Sequence, residues 1–370
     1  MADRVENLVV GGGAMGLSIA FGLMKKGREV RVIEGDYLNA GSTGRGLGVL
    51  KARNPYAMGN GNEDLVKLAR EGLRLHGNLS SVMGINTFYK KSGCLIVAKD
   101  EEDLRVLREH HEHFVKLGVR DIEMTPEEVH AKWPYMDSDS MLAGFYSPDE
   151  ANAHPFGLVW AYLENIKGMK GNVEKENPVK EIKKSSDGFL VKAQNDEYEA
   201  DNVIVASAIN SSGLVEPLGY KIPMTPMRKE VLISEAVRPF FGPTIERLST
   251  HLQVTQTMRG EIMGTIHWME PGHDLGETTA QFLNDLADEV VPIIPVLRNL
   301  NVIRQWTGIC DLTSDEKPAI GQLEEGLHVC CGFHDYGITM VPTVGKLLVD
   351  SIINKKTEKL LEPFAPKRFE

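Results

Sequence analysis

The chain has 370 residues, 42% hydrophobic and 25% charged, which is typical of a globular protein and excludes a disordered or collagen-like one. Its net charge of −11 argues against non-specific binding to nucleic acid or to an anionic membrane surface. Glycine is in excess, because 36 of 370 residues is about 10%, against an average of about 7%.

The four cysteines, at positions 94, 310, 330 and 331, show neither zinc-ligand spacing nor a disulfide framework. We therefore expect no metal site and a reducing, cytoplasmic location. The apolar stretch 8–24 contains five glycines and follows charged residues, which is not typical of a signal peptide or a membrane span.

The first forty residues predict a strand, a tight turn, a helix and a second strand. A short apolar run at 7–10 leads into the pattern G-x-G-x-x-G, and apolar residues then recur at helical spacing as far as Lys25. A second apolar run, 30–33, ends in an acidic residue. This order is typical of a dinucleotide-binding βαβ unit. The alternative is a glycine-rich strand-to-helix turn that binds nothing.

Each glycine of the pattern has a mechanical role. Gly11 makes the turn, Gly13 lets the backbone approach a pyrophosphate, and Gly16 lets the helix lie close to the strand. The helix N-terminus supplies amide donors for the phosphates, and Glu34 stands where a carboxylate accepts hydrogen bonds from the ribose hydroxyls. We predict nucleotide contacts at Gly11, Gly13, Ala14, Met15, Gly16, Glu34 and Gly35.

The next segment separates FAD from NAD, which the βαβ unit alone does not. Residues 41–48 contain four glycines in eight positions, too loose for a helix and too polar for a central strand. Here the sequence resembles the FAD-dependent amine and amino-acid oxidoreductases of the D-amino-acid oxidase superfamily, whose members line the pyrophosphate and flavin with such a segment. The resemblance implies FAD contacts at Ser42, Thr43, Arg45, Gly46, Leu47 and Gly48.

The far end of the chain carries the same resemblance. Residues 304–308, Arg-Gln-Trp-Thr-Gly, and the segments 313–315 and 317–321 are similar to the family's Arg-x-Trp-x-Gly, Thr-Pro-Asp and Pro-x-Ile-Gly sequences. Residues 332–337, Gly-Phe-His-Asp-Tyr-Gly, are similar to its Gly-Phe-Ser-Gly-His-Gly-Phe turn, which presents backbone amides to the flavin pyrimidine edge. The further FAD contacts implied are Val179, Ala206, Gly308, Gly332, Asp335, Tyr336, Gly337, Ile338 and Thr339.

The resemblance covers nearly the whole chain and looks closest to the flavin-carrying β-subunits of heteromeric sarcosine oxidase and dye-linked proline dehydrogenase. It implies an α/β fold in which a Rossmann-like FAD-binding domain of the glutathione-reductase type is interleaved with an α+β substrate domain on a mainly antiparallel sheet. We expect the FAD-binding domain at 1–84, 147–218 and 304–370, and the substrate domain at 85–146 and 219–303. In the latter, Asp100 and Thr125 are predicted helix N-caps.

Amine oxidation in this family depends mainly on placing the substrate against flavin N5, so the site needs a cation for a substrate carboxylate and a closed pocket. Lys51, with Arg45 and Arg53 beside it, falls near an arginine close to the flavin in sarcosine-type oxidases. Surface cations on a turn are the alternative. The candidates for catalysis are Lys51, Arg228, His334 and Tyr336. For Arg228 the alternative is an ordinary cation at a sheet edge, and for His334 it is a contact with the cofactor through the backbone alone.

Two departures from the family pattern and one further correspondence sharpen these expectations. Gly308 stands near the cysteine that some relatives join to the flavin, so FAD should be non-covalent. Ile262, before Gly264, replaces the lysine that helps oxidases react with dioxygen, which favours a dehydrogenase. His154 lies near the histidine that carries FMN at the subunit interface of heteromeric sarcosine oxidases, although a histidine at a helix N-terminus is the simpler interpretation.

These observations predict an FAD-dependent oxidoreductase that oxidises the C–N bond of a small amino acid or secondary amine, L-proline or sarcosine-like, and passes electrons to an acceptor other than oxygen. The alternatives are a glycine or D-amino-acid oxidase that produces hydrogen peroxide, and a non-catalytic flavin-binding partner subunit. The resemblance is compatible with two protein partners, which are an α-subunit and a second copy of the chain.

Overall fold

The computed structural model of the chain describes residues 3–54, 58, 63–273 and 275–370. In chain order its strands are β1 (Asp3–Val10), β2 (Val30–Ile33), β3 (Val49–Leu50), β4 (Cys94–Ala98), β5 (Ile122–Met124), β6 (Ala143–Ser147), β7 (Ala151–Asn152), β8 (Asn172–Glu174), β9 (Val179–Ser185), β10 (Gly188–Ala193), β11 (Glu197–Val205), β12 (Met224–Ala236), β13 (Thr244–Arg247), β14 (Leu252–Gln256), β15 (Glu261–Thr265), β16 (Val302–Thr313), β17 (Ala319–Glu324) and β18 (Leu327–Cys331). Its α-helices are α1 (Ala14–Lys25), α2 (Ser42–Arg45), α3 (Glu63–Met83), α4 (Glu101–Lys116), α5 (Pro126–Lys132), α6 (Pro155–Gly168), α7 (Ser211–Val215), α8 (Ala280–Ile293) and α9 (Gly337–Asn354).

The first sheet forms the nucleotide-binding layer, with strand order β17-β18-β11-β1-β2-β8. Strands β18, β11, β1, β2 and β8 run parallel, and β9 and β10 form an antiparallel meander on β11. Buried side chains of α1, α3, α6 and α9 share one apolar core, which includes Leu17, Leu68, Leu158 and Val344. The parallel sheet and the meander confirm the predicted α/β fold.

The second sheet is mainly antiparallel, in the order β16-β12-β15-β14-β13-β4-β6-β5, with β4 and β13 as its one parallel pair. Helix α8 packs on it through Phe282, Leu286 and Val290. The proposed domain boundary at residue 304 falls inside β16, which pairs with β12 from Val302 to Thr313. This strand therefore ties the substrate layer to the cofactor side of the molecule.

Local signals in the substrate layer act as predicted. Asp100 caps α4, since its side chain accepts a hydrogen bond from the Asp103 N–H. Thr125 and Glu128 form the capping box of α5, with Pro126 as its first residue. Within the described ranges, no helix is long and apolar enough to cross a membrane, and no group of three or more His, Cys, Asp or Glu residues is arranged to hold a metal ion.

Candidate cofactor and substrate site

A cavity of about 590 Å³ lies at the carboxyl ends of the parallel strands of the first sheet. Its wall includes residues at the ends of β1, β2, β11 and β18, namely Gly11, Glu34, Ala206 and Cys331. Open α/β sheets bind ligands in the crevice beyond the carboxyl ends of their strands, and this volume is in the range of small-molecule sites. We call this space the cofactor cavity.

The turn from β1 to α1 needs glycine for packing at two positions and leaves room at a third. Gly11 has a φ of +114°, and an added Cβ would lie 2.4 Å from the Ala206 carbonyl oxygen. At Gly16 a Cβ would lie 1.9 Å from the Gly11 carbonyl oxygen. Gly13 lines the cavity, and the nearest atom to an added Cβ there is Thr43 Oγ1 at 3.4 Å. The space at Gly13 therefore fits a ligand approaching the N-terminus of α1.

Glu34 presents a half-buried carboxylate at the end of β2. Its Oε2 accepts a hydrogen bond from the Gly12 N–H at 2.6 Å, and its Oε1 accepts one from the Asp36 N–H at 3.0 Å. Burial raises the pKa of Glu34, and these two hydrogen bonds oppose that effect. Because each carboxylate oxygen has more than one lone pair, the group keeps acceptor capacity for ribose hydroxyls.

The glycine-rich loop is fastened to β16 by its polar side chains. Ser42 Oγ donates to the Ile309 carbonyl at 2.7 Å. Arg45 donates through Nε to the Ala40 carbonyl at 2.6 Å and through Nη1 to the Thr307 carbonyl at 3.0 Å. Its Cβ lies 3.3 Å from where a Cβ of Gly308 would be. The structure therefore places Arg45 and Gly308 against each other, outside the cavity lining, where they shape the loop.

The predicted flavin turn is held from below by a buried carboxylate. The Gly332 N–H donates to Asp311 Oδ2 at 2.6 Å. Burial raises the pKa of Asp311 to about 6, although the hydrogen bonds that it accepts from backbone N–H groups lower it. His334 has a φ of +57° and its Nε2 lies 3.4 Å from Thr313 Oγ1. Burial lowers the pKa of His334 to about 4, so its imidazole is neutral at pH 7.

Lys51 is fully buried and bonded to a carboxylate of the substrate layer. Its Nζ forms a salt bridge with Glu246 Oε2 and lies 4.8 Å from the centre of the Tyr336 ring. Burial alone would lower the pKa of Lys51, but the acidic groups around it, of which Glu246 has the strongest effect, together outweigh burial and raise the pKa. The Lys51 N–H donates to Thr339 Oγ1 at 2.9 Å. Lys51 and Thr339 therefore lie behind the cavity wall and position Tyr336.

Two adjacent basic residues on β12 face opposite ways. Arg228 donates through Nε to the Glu270 carbonyl at 2.9 Å and packs against Gly272, away from both cavities described in this section. Lys229 is buried, forms a salt bridge with Asp335 at 2.9 Å and lies 4.2 Å from the centre of the Trp268 ring. The cation on this strand that reaches the flavin turn is therefore Lys229, and the geometry does not support a catalytic role for Arg228.

A second cavity, of about 510 Å³, adjoins the first on the side of the substrate layer. Both cavities are lined by Gln253, Asp335 and Tyr336. Other polar walls of the second cavity come from β12, β13 and α4, and include Lys229 and Glu246. We label this space the substrate cavity, since it shares these three residues with the cofactor cavity.

Comparison with known proteins decides the family. The model of the family described as "DAO: FAD dependent oxidoreductase" matches residues 7–351. The chain belongs to this family of FAD-dependent oxidoreductases. Glycine oxidase of Bacillus subtilis (strain 168) is 25% identical, covering 97% of this chain and 96% of that protein. Sarcosine oxidase subunit beta of Arthrobacter sp is also 25% identical, covering 98% of this chain and 90% of the relative.

Solved structures agree with this membership. The crystal structure of L-proline dehydrogenase from P.horikoshii superposes with a TM-score of 0.90 at 28% identity, covering 100% of this chain and 98% of the other. FAD is therefore the cofactor, and the cofactor cavity fits it in two respects. The wall is open at Gly13, where a Cβ would intrude, and it carries the buried Asn39 Oδ1, which has no hydrogen-bond partner in the protein.

Most residues predicted to contact FAD line its cavity. Those that do are Gly11, Gly13, Met15, Glu34, Gly35, Ser42, Thr43, Gly46, Leu47, Gly48, Val179, Ala206, His334, Asp335, Tyr336, Gly337 and Ile338. The predicted residues that stand behind the lining are Ala14, Gly16, Arg45, Lys51, Gly308, Gly332 and Thr339, whereas Arg228 lies away from it. The second group contributes turn geometry and buried hydrogen bonds rather than cavity wall.

Two further candidates from the sequence have structural roles. Arg53 is buried and donates to Asp121 Oδ1 at 2.6 Å, in a layer behind the cavities. His154 caps α6, since its Nδ1 accepts a hydrogen bond from the Gly157 N–H at 3.2 Å. This confirms the simpler interpretation of His154, and an FMN attachment at this residue stays a prediction.

Sequence reasoning missed several residues of the site. Asp311, Lys229, Glu246 and Gln253 all lie in the walls of the two cavities. Asp311 could have been predicted from the sequence. The other residues of the strand after Gly308 are uncharged, and a carboxylate among them needs a partner. Cys310 also lines the cofactor cavity, and burial raises the pKa of its thiol far above the ordinary value, so it is protonated.

Proposed function

We propose that this protein is an FAD-dependent dehydrogenase that oxidises the C–N bond of a small amino acid or secondary amine, L-proline or sarcosine-like. The observation that carries the proposal is the shared wall of the two cavities at Gln253, Asp335 and Tyr336. When bound, FAD supplies a hydride acceptor for the carbon next to the substrate nitrogen. The protein then has to hold that carbon close to the cofactor and exclude water.

The residues around the substrate cavity support this division of labour. Tyr336 is 6% exposed and Gln253 is 9% exposed, so the wall that the two cavities share is built largely of buried side chains. His334 lines the cofactor cavity, and its neutral imidazole is not poised as an acid at pH 7. The chain therefore contributes positioning and desolvation, which is the part of the chemistry that a flavoprotein leaves to the protein.

The names of the relatives support the substrate class. Glycine, sarcosine and proline are the compounds named for the two similar proteins and the similar crystal structure. All three compounds carry a nitrogen on the carbon next to a carboxylate. A compact molecule of this kind is well within a volume of about 510 Å³.

An acceptor other than oxygen is part of the proposal. By the resemblance, oxidases of the family carry at the position of Ile262 a lysine that helps dioxygen react. In this chain Ile262 is 4% exposed and belongs to the apolar core of the substrate layer, so it supplies no such cation. A partner subunit is also proposed, because one relative is named as the beta subunit of sarcosine oxidase. We propose a cytoplasmic location from the cysteines, which are free in the structure.

A substrate screen with an artificial dye acceptor, run beside an oxygen electrode, tests the proposal. We expect dye reduction with L-proline, sarcosine or another small secondary amine, together with slow oxygen consumption. Fast peroxide formation with glycine or a D-amino acid would replace the dehydrogenase by the oxidase that the glycine oxidase relatives suggest. A flavin that is never reduced by any amino acid or N-methyl amino acid would favour a non-catalytic partner subunit.

A further inference from the structure

Two carboxylates in the wall of the substrate cavity each have one oxygen in an ion pair and one without a partner. Glu246 is 2% exposed, and its Oε2 pairs with Lys51 while its Oε1 has no hydrogen-bond partner. Asp335 pairs with Lys229 through Oδ2, and its buried Oδ1 has no partner. A buried acceptor without a donor is costly, so both atoms lack a group that a ligand can supply.

The cations in this wall are already neutralised. Lys229 is held by Asp335, and Arg247 donates to Asp103 at 2.7 Å, Asp100 at 2.7 Å and Glu289 at 3.0 Å. Among the described residues the lining has more acidic than basic side chains. The acidic ones are Glu102, Asp103, Glu246, Glu316 and Asp335, and the basic ones are Lys229 and Arg247.

The histidines of the cavity add no positive charge at neutral pH. Burial lowers the pKa of His110 to about 4, and burial also lowers the pKa of His251. The wall therefore presents a negative potential and unfilled acceptor atoms, which is complementary to an N–H group that carries positive charge.

We propose that Asp335 and Glu246 recognise the amine nitrogen of the substrate as a cationic N–H donor. This rests on the proposed function and names the part of the substrate that the cavity selects. Asp335 lines both cavities, so an amine bound to it has its C–N bond beside the cofactor cavity. The ion pair with Lys229 keeps Asp335 ionised, since it lowers the pKa of that carboxyl against the effect of burial.

The turn that carries Asp335 departs at this residue from the family sequence that it resembles. In the similar turn of the family, Gly-Phe-Ser-Gly-His-Gly-Phe, the residue that corresponds to Asp335 is glycine. The backbone of the turn therefore does not require an aspartate, and the carboxylate is available for ligand recognition. Lys229, one strand away, supplies the counter-charge that lets this carboxylate stay buried.

Titration of the oxidised holoenzyme with two probes tests the proposal. Pyrrolidine carries the cationic amine without a carboxylate, and tetrahydro-2-furoate carries the carboxylate without an N–H group. Each is added to the FAD-loaded protein, and the shift of the flavin absorbance gives Kd. We expect pyrrolidine to bind at least about tenfold more tightly than tetrahydro-2-furoate, because a hydrogen bond to a charged group discriminates by roughly that factor or more.

Three variants test the role of Asp335 itself. Asp335→Gly restores the glycine of the family turn, and we expect it to raise the Kd of pyrrolidine roughly 10- to 100-fold without weakening tetrahydro-2-furoate. Asp335→Asn serves as the second variant if the first loses FAD, and we expect a loss in the same direction. Glu325→Gln is the matched control, because it removes an exposed negative charge that lines neither cavity and should leave Kd within about twofold.

Two results would overturn the proposal. One is wild-type protein that binds tetrahydro-2-furoate as tightly as pyrrolidine, or does not bind pyrrolidine. The other is an unchanged pyrrolidine Kd in both Asp335 variants. If these occur while an amino acid still reduces the flavin, the recognition of the amine is wrong and the proposed function stands. If pyrrolidine binding depends on Asp335 but no amine reduces the flavin, the recognition stands and the proposed function is wrong.

Discussion

The buried pair of Lys51 and Glu246 joins the cofactor side of the molecule to the substrate layer, and its energy can be measured. Lys51→Met keeps the length of the side chain and removes the charge. Glu246, which is 2% exposed, then loses its cation. The variant also removes the cation that lies 4.8 Å from the Tyr336 ring.

Removing one partner of a buried ion pair costs about 3–5 kcal/mol, because the remaining charge stays buried without compensation. We therefore expect Lys51→Met to lower the free energy of unfolding by about that amount. The double variant Lys51→Met/Glu246→Gln leaves no unpaired charge, and replacing both partners of a buried pair is often close to neutral. It should be more stable than Lys51→Met alone.

Equilibrium urea unfolding with FAD in excess, followed by tryptophan fluorescence, gives these differences from the shift of the midpoint at an unchanged slope. Lys67→Met is the control, because Lys67 is an exposed lysine paired with Asp64 on a helix surface, and we expect no measurable change. The reasoning is refuted if Lys51→Met behaves like the control, or if the double variant is no more stable than Lys51→Met.

Two further predictions concern the fingerprint turn and the buried carboxylates. Gly13→Val should give a folded protein without FAD, whereas Gly16→Ala should impair folding itself; circular dichroism and the flavin absorbance of the purified variants separate the two, and a Gly13→Val protein that stays yellow contradicts the nucleotide site. Burial raises the pKa of Glu150 from 4.5 to about 7, so the folded protein binds a proton that the unfolded chain releases, and this group's contribution to stability falls as pH rises through that window. Glu150→Gln removes the titration, so the Tm of the variant relative to wild type should rise between about pH 5 and about pH 8, and a difference independent of pH would contradict the raised pKa.

Features of the fold that depend on neighbouring residues were predictable from the sequence. Gly16 is required where the pattern places it, because an added Cβ would lie 1.9 Å from the Gly11 carbonyl oxygen, and the φ of +114° at Gly11 also favours glycine. The caps at Asp100 and Thr125 also form as expected, since a cap depends on residues only three positions apart. The glycine pattern therefore located the nucleotide-binding edge, and the caps located the first residues of α4 and α5.

The walls of the site depend on contacts that no local pattern contains. Arg228 and Lys229 are both basic, and because side chains alternate across a strand, an error of one position exchanges the residue facing the cavity for the one facing away. Lys51 and Glu246 are separated by 195 positions, so their pairing follows only from the packing of the two layers. The substrate cavity was not predictable from the sequence for the same reason, because its polar residues come from separate strands and a helix.

The most direct test of a dehydrogenase acting on amines is to follow the flavin of the holoenzyme through each half of the reaction. The protein is mixed without oxygen with L-proline, sarcosine or another small secondary amine, and the reduced protein is then mixed with either air-saturated buffer or a dye. We predict that one such amine bleaches the flavin absorbance, and that the dye restores it much faster than air does. A flavin that no amine bleaches, or that air restores as fast as the dye, would contradict the proposed function.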